Sequence, residues 1–262
     1  MGLDAFVNCR CWQDGLAAPP PVAPELIGVD DDGFIGLLAH DDDLWDVVDA
    51  WVASACPHDN MDFISRHVSN WSGLRLFQSA LSSAGDRFPT LLSELPAGNG
   101  GTMPAEAAAR VLDELAAFAS LADVGTESVL VDEDTGEVIN TGVPAYDGVF
   151  MLGPGYRAAI LPDGFVVRDD DPEAPRTLFH ARRFRQVPGP GRAVEFVAED
   201  PAGPSAVTVA MPPVGGREER PPPHRLRVEV RRQEPDRHAS VVEALADLCR
   251  AAVATGNPVV WT

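Results

Sequence analysis

The chain has no lysine. All twenty of its basic residues are arginine, in a sequence of 262 residues. That absence removes whole classes of chemistry. A Walker A loop needs its lysine at the phosphates, a pyridoxal enzyme needs a Schiff-base lysine, and a Ser-x-x-Lys hydrolase needs its lysine. Long apolar runs are missing too, with nothing near the ~20 residues that cross a bilayer. The opening MGLDAFVN has neither a basic n-region nor an apolar h-region. Gly2 lacks the downstream Ser or Thr of a myristoylation signal. The expectation is a cytoplasmic protein with no membrane partner and with reduced thiols. Cysteine itself is scarce, at four residues, and in a reducing compartment a disulfide is a poor explanation for any that are paired.

What the chain does have is acid. Its formal net charge is −20; residues 1–150 carry 25 acidic and 5 basic side chains, and residues 151–262 carry 15 of each. Such a field repels nucleic acid and anionic membrane and draws basic partners inward, besides keeping the protein in solution. No nucleic-acid partner is expected, and a basic protein is the partner that fits. An apolar fraction of 45% gives ample material for a core.

The hydrophobic pattern predicts an α+β protein. DAFVNCRCW alternates as a strand that places Cys9 and Cys11 on one face. LAAPPPVAPE is an extended loop, and ELIGVDDDGFI a hairpin turning at Asp32-Gly33. In HDDDLWDVVDAWVASACPHD, Leu44, Val47, Val48, Trp51, Val52 and Ala55 form a helical stripe, capped by Asp41 to Asp43 and stopped by Pro57. A second helix is expected over DFISRHVSNWSGLRLFQSALSS, a short turn at FPTLLSELP, and a third helix over GTMPAEAAARVLDELAAFASL with Thr102 as N-cap. From about Gly125 the period changes to that of strands, with hairpins at Asp134-Thr135-Gly136 and Asp163-Gly164. PPVGGREERPPPH reads as a loop, and a last helix has Ser240 and Glu243 as a capping box and Gly256 as C-cap. The expected architecture is therefore a helix-rich acidic N-terminal half, residues 1–124, and an antiparallel strand-rich half, residues 125–262, closed by a C-terminal helix, with a joint domain also open.

The candidate site joins the paired cysteines to ACPHD. Cys9, Cys11, Cys56 and His58 make a C-x-C…C-x-H set, the donor types of a tetrahedral zinc site. His40 and His67 are reserve ligands. Buried core thiols are the competing reading for Cys9 and Cys11; Cys249, on the apolar face of the last helix, reads as core. Four candidate protein ligands point to a closed structural site, and neither H-E-x-x-H nor H-x-E…P-C-x-x-C occurs. DDDGF and DEDTGE lack calcium-loop spacing. The arginines of FHARRFRQ and HRLRVEVRR, Arg225 and Arg227 among them, are expected to pair with the acidic half of the chain.

The opening MGLDAFVNCRCWQDG, the PELIGVDDDG segment, and HDDDLWDVVDAWVASACPHDN followed by RHVSNWSGLRLF resemble a set of uncharacterised bacterial proteins that carry C-x-C followed by an H…W…C-x-H segment. The likeness covers about the first eighty residues. It implies no activity, but groups Cys9, Cys11, His40, Cys56 and His58 as one unit.

Two functions follow as expectations. The first is a non-enzymatic cytoplasmic binding protein with a structural zinc site and an acidic face for a basic protein, immunity- or antitoxin-like by analogy alone. The alternative is a metal-dependent hydrolase using His40 or His67, an acidic residue of HDDD and a metal-bound water.

Overall fold

The computed structural model describes residues 2–39, 41–171, 173–191, 193–199, 206–216 and 221–262. The chain divides into two compact units, one of Met1–Ala122 with Glu234–Thr262 and the other of Asp123–Gln233. The first unit opens with β1 (Gly2–Asn8), β2 (Ile27–Val29), β3 (Ile35–Leu37), α1 (Asp42–Val52), β4 (Asp62–Asn70), α2 (Trp71–Ser83), α3 (Pro89–Glu94), β5 (Thr102–Met103) and α4 (Ala105–Ala119). The second unit is built of strands: β6 (Thr126–Asp132), β7 (Val138–Thr141), β8 (Val149–Gly153), β9 (Tyr156–Leu161), β10 (Gly164–Arg168), β11 (Thr177–Ala181), β12 (Arg183–Pro188), β13 (Val194–Ala198), β14 (Ala206–Val209) and β15 (Arg225–Arg232). The chain then re-enters the first unit as α5 (Ala239–Thr255) and β16 (Val259–Trp261).

In the first unit the sheet runs β4-β1-β16-β5, antiparallel throughout. β1 is interior, paired with β4 through Val7 opposite Ile64 and with β16 through Phe6 opposite Val260. α5 packs on β4 and β1 and against α4. Phe118 of α4 meets Phe77 of α2 edge-on, with centroids 5.1 Å apart, and Phe88 at 5.7 Å. The Glu114 carboxylate accepts from the N–H groups of Thr90 and Leu91, at 3.0 and 2.8 Å, and so caps α3.

The second unit has two antiparallel sheets, β11-β10-β9-β8 and β14-β13-β12-β15-β6-β7, that feed one apolar core. Phe165, Phe179, Phe184 and Phe196 form its centre, with Phe165 stacked on Phe184 at 4.7 Å. Buried Gln186 fastens the following loop to this unit. Its side chain donates to the carbonyls of Val214 and Pro223, at 2.8 and 2.7 Å, and accepts from Val214 N at 2.8 Å. Arg183 and Arg225 pair with Glu133, and Arg225 also with Glu199, so these strand arginines are neutralised within their own unit.

The expected helix-rich first half is overturned. Among the described residues there are sixteen strands and five α-helices, and the first 124 residues alone hold five strands. Residues 62–70, expected as helix, form β4. They contain β-branched Ile64 and Val68 and complete the ladder of β1; the helix starts only where the Asn70 side chain accepts from Gly73 N at 2.7 Å. β1 ends at Asn8, so the cysteines follow the strand rather than lie on it. α1 ends at Val52, before Pro57 is reached. Thr102 is a strand residue beside β16, and α4 is preceded by Pro104. Ser240 and Glu243 form no capping box, because a 3-10 turn at Pro235–His238 runs straight into α5. Asp41 caps α1 through Asp43 N, and Gly256 ends α5 at φ 73°, as the sequence predicts. The acid is concentrated in the first unit, with 22 acidic side chains against 7 arginines; the second has 18 against 13.

His238 is buried between Phe77 and Phe118, with ring centroids at 5.5 and 5.9 Å. Burial, helped by the adjacent Arg237 charge, pushes its imidazole down to about 4. The folded protein therefore holds it neutral where the unfolded chain protonates it. Its contribution is complete above the ordinary histidine pKa and is lost as pH falls from about 6.5 to about 4, by about 3 kcal/mol in total. Urea melts at pH 7 and pH 4.5 should show this loss in the parent and a flatter dependence in His238→Phe, whatever that variant's baseline stability.

Candidate metal centre

The four residues that the sequence singles out converge. One donor atom from each of Cys9, Cys11, Cys56 and His58 lies within 4.8 Å of the others. Cys9 Sγ is 3.7 Å from Cys56 Sγ, Cys11 Sγ is 3.5 Å from His58 Nδ1, and Cys56 Sγ is 3.7 Å from the same nitrogen. All four cysteines of the chain are free.

Backbone bonds put them there. Just past β1, Cys9 N donates to Met61 O at 2.6 Å, so the first cysteine is tied to the segment carrying His58. The Cys11 carbonyl accepts from Leu16 and Ala17 N, which closes a turn and faces Cys11 back toward Cys9. On the other side, Ala18 N donates to Ala55 O at 2.7 Å, and the Trp51 indole N–H donates to Ala18 O at 2.9 Å. The chain reverses after His58 through two left-handed residues, Asn60 at φ 54° and Met61 at φ 58°. Asparagine tolerates that conformation, whereas methionine is strained in it by roughly 1–2 kcal/mol. Complete burial of the Met61 side chain and the bond to Cys9 hold it there.

An apolar shell of Ile27, Ile35, Leu37, Val48 and Trp51 surrounds the group. Cys9 is 1% and Cys11 9% exposed, while Cys56 and His58 are half-buried. Burial pushes the Cys9 thiol up to about 12 and the Cys11 thiol in the same direction. Both are therefore protonated at neutral pH unless a cation stabilises the thiolates, and a metal ion placed among the four donors does that.

The reserve ligands stand differently. His67 is on the exposed face of β4 with Nδ1 2.8 Å from Asp4 Oδ1, and is not one of the four converging donors. His40 lies outside the described residues. Cys249 is fully buried in α5 and its thiol is pushed up to about 12 by burial, in keeping with a core side chain. Asp30 and Asp132, in the two calcium-like stretches, instead accept turn N–H groups from Asp32 and Asp134. No helix among the described residues is long and apolar enough to cross a membrane.

One contributor is invisible to sequence reasoning. Asn257, just beyond α5, is buried; its Nδ2 donates to Asn8 O at 2.8 Å and Cys9 O at 3.1 Å, and its Oδ1 accepts from Gln13 Nε2 at 2.7 Å. Arg10 Nη1 adds a bond to Thr255 O at 3.0 Å. The C-x-C turn is therefore clamped by residues about 250 positions away, and no local pattern in GNPVVW announces it.

No protein-family model, curated protein or solved structure matches this chain. The chemistry of the centre thus rests on its own donors.

Asn257→Leu removes the clamp on both carbonyls without touching a donor. Outer contacts of this kind are worth about 10–100-fold in metal affinity. Loaded with metal in vitro and set against a chromophoric chelator, the variant should release the ion at a correspondingly lower chelator concentration than the parent.

Proposed function

We propose that the first unit is organised by a zinc ion held in a closed, structural site by Cys9, Cys11, Cys56 and His58, and that the protein is a non-enzymatic binding protein whose acidic face takes a basic protein partner. The observation that carries the metal reading is the donor spacing. Bonds of ~2.3 Å to sulfur and ~2.0–2.1 Å to nitrogen at tetrahedral angles require sulfur–sulfur edges of about 3.8 Å and sulfur–nitrogen edges of about 3.6 Å. Three of the six donor pairs stand close to those edges, Cys9–Cys56 at 3.7 Å, Cys11–His58 at 3.5 Å and Cys56–His58 at 3.7 Å, and all six lie within 4.8 Å. Three thiolates and one imidazole suit zinc far better than magnesium or calcium, which take oxygen.

Four protein donors leave no coordination position for water, which favours a structural role over hydrolysis. Of the two histidines the hydrolase alternative calls on, His40 lies outside the described residues and His67 is engaged with Asp4. A compartment that keeps thiols reduced suits such a site, so cytoplasmic residence belongs to the same proposal. The surplus of carboxylates in the first unit supports the basic partner, on the analogy of immunity proteins and antitoxins.

Elemental mass spectrometry on untagged protein, purified reduced and without chelator, should find one zinc per chain, and none in the Cys9→Ser, Cys11→Ser double variant. Chelation should lower the thermal midpoint of the first unit rather than leave the fold intact. Metal-free parent protein would sink the zinc reading. The partner reading carries its own expectation: affinity for a basic protein should fall steadily as salt rises.

A further inference from the structure

The acid of the first unit is concentrated further. Between Arg10 and Arg66 the chain has twelve carboxylates and no arginine. The two bounding arginines are engaged with Asp14 and Asp247. In the middle of this stretch stands the β2–β3 hairpin, with Asp30, Asp31 and Asp32 exposed at its tip.

The hairpin has two unlike faces. Its register pairs Ile27 with Leu37, Gly28 with Gly36 and Val29 with Ile35. Bonds from Leu38 N to Leu26 O and from Asp30 N to Phe34 O, both 2.9 Å, extend the ladder one step at each end. Ile27, Ile35 and Leu37 belong to the buried cluster around the metal centre. By strand alternation the pairs Leu26/Leu38, Gly28/Gly36 and Asp30/Phe34 turn the other way. On that outer face Leu26 is 37%, Phe34 43% and Leu38 56% exposed. The Leu38 side chain lies over Gly28, 3.0 Å from where a Cβ would stand, whereas a Cβ on Gly36 would meet nothing within 4 Å. This leaves open space over Gly36 on the face that carries Leu38 and Phe34, a shallow slot whose tip-side neighbour Asp30 accepts from Asp32 and Phe34 N through Oδ1. The Phe34 ring is steadied from behind by Phe6, with centroids 5.2 Å apart.

We propose that this slot is where the acidic face grips its partner, and that its occupant is an arginine or lysine side chain of a basic protein segment. Charge complementarity selects the occupant. A basic side chain is the one kind with an apolar stem to lie between Leu38 and Phe34 and a cationic head for the aspartates and the aromatic face. A purely apolar occupant would leave the Asp30–Asp32 carboxylates next to desolvated surface, and an acidic one would be repelled. This assignment rests on the basic-partner reading above and gives it an address.

The test uses the full ¹⁵N-labelled chain with tri-arginine amide as probe, at low ionic strength. Saturable amide shifts confined to residues 26–38 are expected. Gly36→Val fills the slot at a position with open space and no left-handed φ; it should keep the parent's melting curve and weaken binding at least tenfold. Leu38→Ser, which removes a wall, should weaken it as well. Shifts scattered over the acidic surface and unchanged in Gly36→Val would overturn the slot while leaving the basic-partner reading standing. No binding of tri-arginine at any salt concentration would overturn both.

Discussion

Cys9 sits just past the end of the interior strand β1, where burial, reinforced by the neighbouring Cys11 and Cys56 thiols, pushes its own thiol well above the ordinary range. Three sulfurs and an imidazole have nevertheless been brought within 4.8 Å of one another. Because a buried thiolate is costly, a cation is what would let these thiols ionise together, and much of the first unit packs around them. The hairpin and α1 supply the apolar shell, the Asn60–Met61 reversal sets His58 against Cys11, and Asn257 grips the turn between Asn8 and Cys9. The acidic hairpin whose outer face carries the proposed slot turns its inner face to the same cluster. Metal and partner would share one small element, one on each side.

The dependence also runs the length of the chain. β1 is the first strand and β16 the last in chain order, and the two are neighbours in one sheet. Thr255 and Asn257, at the end of α5, hold the turn that follows β1. The first unit is thus closed by segments far apart in sequence, and the centre just past β1 stands where they meet.

How much of this was legible in the sequence depends on the range of each interaction. The metal set could be read because cysteine and histidine are rare here and their chemistry is narrow, so four of them in two short motifs constrain one another. The α1 stripe and the Asp41 cap could be read because both are local. β4 could not: Ile64, His67, Trp71 and Leu74 satisfy helical spacing, and only the demand of β1 for a partner selects the strand. The same blindness to distant partners hid β16 beside β1 and Asn257 over Cys9. Ser240 and Glu243 had the right spacing for a cap, but the turn at Pro235–His238 already supplies the helix with its preceding residues.

The second unit begins and ends in one pair of bonds. Val124 N donates to Gln233 O at 2.8 Å, and Gln233 N donates to Gly125 O at 3.0 Å. A segment of 111 residues, Asp123–Gln233, therefore leaves and returns through a gap the width of a single strand pair. Because its entry and exit are already joined, the first unit bears almost none of the closure entropy that so long a flexible excursion would impose. For the rest of the chain, the strand-built unit is the thermodynamic equivalent of a short turn.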